Sequence, residues 1–163
     1  LLILMVSSMI TGSILAKYEA AFAVIPLLVT FIPMLTDTGG NAGSQSSTMI
    51  IRGMAVGEIE ARDILRVLWK ELRVGVIVGV LLGLVNYVQL VVRFPGQEML
   101  CLTVVLSLLA TVMLAKTIGC VLPIVAQVLH LDPAIMAAPL ITTIVDAVSL
   151  IIYFQLACSL LKI

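Results

Sequence analysis

Charge is scarce in this sequence: Asp, Glu, Lys and Arg together make up 11% of its 163 residues. Soluble domains carry about 25%. A chain this poor in charge cannot clothe a water-exposed surface. Its 62% of hydrophobic residues and mean hydropathy of +1.27 point to a membrane instead. Nine basic and nine acidic residues cancel, so no net field draws nucleic acid or another polyanion. There is one histidine, His130, and the cysteines Cys101, Cys120 and Cys158 stand far apart in apolar runs. Without a C-x-x-C or His pair, neither a zinc or copper site nor a disulfide framework has its ligands. No G-x-S-x-G elbow, H-E-x-x-H helix or G-K-[ST] phosphate loop occurs, so the chain is not expected to be an enzyme.

What the sequence does have is long apolar runs. A spanning helix needs about 20 mostly apolar residues. Residues 1–16 form a first run, closed by Lys17, Tyr18 and Glu19. Leu1 opens in mid-run with no basic leader, which reads as a cut through this helix. A second run starts near Ala20, crosses Pro26 and Pro33, and turns small and polar from Thr36 to Thr48. At about 1.5 Å per residue, a helix from 20 to 51 would be about 48 Å long. That exceeds a core of about 30 Å, so the polar part sits at the membrane edge or the helix is broken. Three further spans are expected, at 74–92, from about Met99, and from Asp132-Pro133 to about Leu161. In the third, Gly75, Gly79 and Gly83 form a ridge that lets another helix approach closely. Residues 57–73 read as an amphipathic helix lying in the interface, with Arg62, Arg66, Lys70 and Arg73 on one face. With Arg52, they put five of the nine basic residues in one connection. The positive-inside rule assigns loop 52–73 to the cytoplasm.

Two carboxylates fall inside apolar segments, Asp37 and Asp146. Such a charge costs about 2.5–3.5 kcal/mol on insertion scales and marks pathways or pairs. Thr142, Asp146, Ser149 and Tyr153 recur on one face of the fifth span, with Thr143 bordering them. Asn41, Gln45, Thr48 and Arg52 make a second polar stripe, while Gly39, Gly40, Gly43 and their small neighbours suit close packing. Carboxylate, hydroxyl and amide oxygens suit a hard cation such as Mg2+, which keeps much of its water. Asp146 and Thr142 are the candidate metal-binding residues, with Asn41, Gln45, Thr48, Thr143 and Ser149 as candidate pore lining. Asp37 and Lys116 are expected to neutralise each other as a structural ion pair.

Two long stretches, Pro33-Met34-Leu35-Thr36-Asp37-Thr38-Gly39-Gly40-Asn41-Ala42-Gly43-Ser44-Gln45 and Asp132-Pro133-Ala134 through Thr142-Thr143-Ile144-Val145-Asp146, resemble the MgtE-type magnesium transporter family. The similarity runs over essentially the whole chain. The resemblance implies an all-α bundle of five transmembrane helices, the first truncated here, in a homodimer whose pore follows the subunit interface. It further implies that Asp146 holds hydrated Mg2+ in the pore, helped by backbone oxygens one turn earlier at Thr142. Cytoplasmic regulatory domains found N-terminal to this part in the family are absent from residues 1–163, read as a single pore domain. The expected setting is the bacterial cytoplasmic membrane, and the expected partners are a second copy, Mg2+ or another divalent cation, and lipid. The rival transport reading is a Na+- or H+-coupled exchanger, for which Pro26, Pro33 and the glycines would supply broken helices. A membrane scaffold assembled through glycine faces is the reading without transport.

Overall fold

The computed structural model describes residues 2–133 and 138–162, and every described element is helical. Helix α1 covers Leu2–Lys17 and α2 covers Glu19–Val24. A 3-10 turn, Pro26–Phe31, leads into α3, Ile32–Ala55. Another short 3-10 turn, Ala61–Asp63, opens α4, Ile64–Arg93, which is followed by α5, Glu98–Val128, and α6, Ala138–Leu161.

The second run is broken where proline demands it. Ile25 is extended (φ −133°, ψ 84°) before Pro26, because the pyrrolidine ring crowds a helical residue ahead of it. The turn is then held from outside: the Tyr153 hydroxyl of α6 donates to the Leu28 carbonyl at 2.9 Å. Pro33 does no such damage, since it stands in the first turn of α3, where an N–H has no helical acceptor.

Among the described residues, three helices are long and apolar enough to cross a membrane: Ala61–Arg93, Glu98–Val128 and Pro139–Leu161. The other two expected spans correspond to α1, 16 residues long, and to the broken unit of α2, the 3-10 turn and α3. Helix α5 is the hub, packed against α3, α4 and α6, and α3 and α1 also pack on α6. Leu28, Leu35, Val104, Val112, Ile141, Val145 and Leu150 are buried where they meet. Tyr18 stacks on Phe154 with ring centroids 4.8 Å apart.

Two expectations are corrected. The amphipathic helix expected over 57–73, leading into the next span, starts later: 57–60 are not helical, 61–63 form the 3-10 turn, and from Ile64 the chain is the first turns of α4, continuous with its apolar stretch. The fifth span, expected to start at Asp132-Pro133, runs into residues 134–137, which lie outside the described ones; both named residues are non-helical and α6 begins at Ala138.

The glycine ridge of α4 packs as its spacing predicts. A Cβ on Gly79 would lie 2.6 Å from Leu109 Cδ1, and one on Gly83 would lie 3.1 Å from Val105 Cγ1, both on α5. The closest backbone approach is elsewhere. A Cβ on Gly119 of α5 would run into the Gly43 carbonyl oxygen of α3. Because both groups are backbone, no side-chain rotation relieves the clash. Gly119→Ala is expected to force α3 and α5 apart and cost about 1–3 kcal/mol, read as earlier thermal unfolding in detergent. Gly12→Ala, with nothing within 4 Å of its added methyl and a helical backbone that favours alanine, should not bring unfolding earlier.

Candidate cation site

Helix α3 has two unlike faces. Leu35, Gly39, Gly40, Ala42, Gly43, Ser46, Ser47, Ile50 and Gly53 are buried. Asp37, Asn41, Gln45, Thr48 and Arg52, spaced three or four apart, are exposed along the other side. Mid-helix glycine costs about 1 kcal/mol relative to alanine, and the gain is proximity. A Cβ on Gly40 would lie 3.3 Å from Thr142 Cγ2, and one on Gly43 would lie 2.8 Å from Ile141 Cγ2. Helix α6 therefore lies close against the glycines, which brings its polar residues beside Asp37 and Asn41.

Where the two helices meet, a pocket of about 230 Å³ is lined by Thr36, Asp37, Gly40, Asn41, Thr142 and Asp146. It holds two carboxylates, an amide and two hydroxyls, and no lysine or arginine. The Thr142 and Thr143 hydroxyls both donate to the Pro139 carbonyl, at 3.1 and 2.7 Å. Their protons are thus spent on the helix itself, which leaves the Thr142 oxygen an acceptor toward the pocket. Thr36 similarly donates to the Ile32 carbonyl at 3.1 Å. Every polar group facing the pocket can present an oxygen, the donor set a hard cation takes. Among the described residues, no group of three or more His, Cys, Asp or Glu side chains forms a metal-ligand cluster.

The expected site residues separate into those brought together and those not. Asp146, Thr142 and Asn41 share the pocket. Gln45 and Thr48 continue its exposed face along α3, and Thr143 stands half-buried beside it. Ser149 is misplaced by the sequence reading: at 2% exposure it donates to the Val145 carbonyl and opens on no surface. Tyr153, fully buried, likewise leaves the stripe.

The expected Asp37–Lys116 pair does not form. Lys116 Nζ lies 3.2 Å from Glu71 Oε2 of α4 and 3.2 Å from Ser46 Oγ of α3, while the Ser46 hydroxyl donates to Glu71. Asp37 is exposed on the pocket with Asp146. Glu71 is the residue the sequence reading missed. It stands four residues before Gly75, on the line continued by Gly79 and Gly83, and that spacing marks it for the buried ridge.

The MgtE family, described as divalent cation transporters, matches residues 32–156. The magnesium transporter MgtE of Thermus thermophilus is 36% identical over 162 residues, which covers 99% of this chain and 36% of that protein. The magnesium transporter MgtE of Bacillus subtilis is 33% identical over 157 residues, covering 96% of this chain and 35% of the relative. The chain thus spans about a third of the length of the curated relatives it matches. With the match running through both α3 and α6, this chain belongs to the MgtE family of divalent cation transporters.

Proposed function

We propose that this chain forms a channel-like pathway for divalent cations, chiefly Mg2+, between two copies related by a twofold axis. The observation that carries the reading is the exposed polar ladder of α3, from Asp37 to Thr48, meeting the Asp146 pocket. Polar side chains facing hydrocarbon are costly, so this face fits a water-filled path and a second copy better than lipid. Two copies would bring two Asp146 carboxylates to one path, matching the ion's double charge. Mg2+ surrenders water reluctantly, so Asp146 would act through the ion's water shell, with Thr142 and Asn41 orienting those waters. Asp37 adds negative potential that concentrates cations at the pocket. The five spans expected from the sequence suit this assembly, with α1 and the α2–α3 unit completing the count. The basic residues between 52 and 73 would then face the cytoplasm.

Thiol blocking tests the pathway. With Cys101, Cys120 and Cys158 replaced by Ala, cysteine is introduced singly at Asn41, Gln45, Thr48 and, as a lipid-facing control, Val85, which is 72% exposed on α4. A cationic thiol reagent is expected to stop Mg2+ flux at the three α3 positions and spare Val85→Cys. Flux untouched at all three positions would remove this face from the path.

A further inference from the structure

A second cleft, larger than the Asp146 pocket and away from it, lies between the C-terminal end of α3 and the first turns of α4 and encloses about 960 Å³. Its walls carry Arg52, Arg66, Lys70 and Arg73. Among the described residues, Arg52, Arg66 and Lys70 form no ion pair, and Arg73 lies over the Trp69 ring at 6.0 Å. The acidic residues of the same cleft do not cancel this charge. Glu71 is already matched by Lys116, which leaves two carboxylates, Glu58 and Asp63, against the four cations. Four cations, three of them arginines with forked donors suited to phosphate oxygens, therefore line a hollow with a surplus of positive charge.

The surroundings decide which phosphate. The cleft sits where α4 passes from its basic turns into the apolar stretch after Arg73. Trp69 and Met49, both 63% exposed, line it, as does Val56 at 61%. A basic wall joined to an apolar wall and a tryptophan at the start of a span has the polarity of the headgroup layer. A molecule with an anionic head and hydrocarbon tails matches both walls, whereas a soluble anion matches only one. We propose that this cleft binds an anionic membrane phospholipid, its phosphate held by Arg66, Lys70, Arg52 and Arg73 and its chains lying against Met49, Val56 and Trp69. The proposal rests on the chain's residence in a membrane and is independent of the ion pathway. Lipid in the cleft would fix the ends of α3 and α4 together, beside the Glu71–Lys116 pair that joins α4 to α5.

Trp69 is the single tryptophan of the chain, so its fluorescence reports on this cleft alone. The protein is reconstituted in phosphatidylcholine bilayers containing a minor fraction of brominated phosphatidylglycerol or, in parallel, brominated phosphatidylcholine. Brominated phosphatidylglycerol is expected to quench Trp69 more strongly at equal mole fraction. Arg66→Gln with Lys70→Gln removes two cations worth about 1 kcal/mol each at a membrane surface, and should reduce the preference by up to about 30-fold. Arg66→Lys with Lys70→Arg should retain the preference. Arg62→Gln should as well, because Arg62 pairs with Glu60 outside the cleft. Equal quenching by the two lipids, or a preference that survives in the Gln double variant, would overturn the site. Quenching relieved by inorganic phosphate at constant ionic strength would assign it to a soluble anion, and quenching by neither lipid would mean that protein covers the cleft; either result overturns the lipid.

Discussion

Asp146→Asn is expected to reduce magnesium flux at least about tenfold while leaving the fold and its assembly intact. The side chain is half-buried at the pocket, so the isosteric amide fits the same space and removes only charge. A pair of unit charges about 4 Å apart near a protein surface is worth about 4 kcal/mol. An intervening water weakens this and the ion's second charge strengthens it. Losing only about 1.4 kcal/mol of that attraction already lowers occupancy tenfold. Asp146→Glu, which keeps the charge and moves it by one methylene, should retain more flux than Asn. Asp37→Asn should have the smaller effect of the two aspartate changes, since Asp37 is exposed and contributes at a distance. The readout is magnesium uptake at matched protein density, alongside thermal unfolding of each variant. Undiminished flux in Asp146→Asn would take the ion path away from this carboxylate.

The second large effect concerns stability. Lys116→Met is expected to destabilise the bundle by about 3–5 kcal/mol, because it leaves the Glu71 carboxylate buried without its counter-charge. Glu71 and Lys116 are 6% and 7% exposed, and with Ser46 they tie α3, α4 and α5 at one level. Glu71→Met should cost a similar amount, stranding the ammonium instead. The double variant is the informative one. With both charges gone and packing volume kept, much of the loss should return, since a buried pair and its apolar replacement are often close in energy. Thermal unfolding in detergent of the two single variants and the double variant gives the coupling directly. Additive losses would mean that the two residues act independently, contrary to their 3.2 Å approach.

Most of the architecture was legible because membrane helices write themselves as apolar runs. The three long spans, the break at Pro26 and the ridge of Gly75, Gly79 and Gly83 all follow from hydropathy, proline geometry and a spacing of four. The two-faced character of α3 was legible for the same reason: small residues and polar residues alternate with helical period, and the small set is the buried one. The ion pair was misread. Lys116 was matched with Asp37 because both are charges inside apolar runs, a criterion blind to which face each occupies. Glu71 escaped notice because it stands among Arg62, Arg66, Lys70 and Arg73, where a charge looks solvated. Its distance of four from Gly75 carried the correct information. Ser149 and Tyr153 show the limit of a stripe read from spacing. The face of α6 that meets the pocket at Thr142 and Asp146 turns toward α3 and the 3-10 turn lower down, and there its hydroxyls bond within the protein. Tertiary packing decides how far along a helix a polar face stays open.

The central claim, that this chain conducts a divalent cation, is tested most directly by magnesium uptake into liposomes carrying the purified protein, followed with a trapped fluorescent indicator. The account predicts uptake driven by the magnesium gradient and membrane voltage, with no sodium or proton gradient imposed. Uptake that appears only when a sodium or proton gradient is present would contradict the channel and favour an exchanger. Protein that is folded and reconstituted yet passes no magnesium under any gradient would contradict transport by this chain altogether.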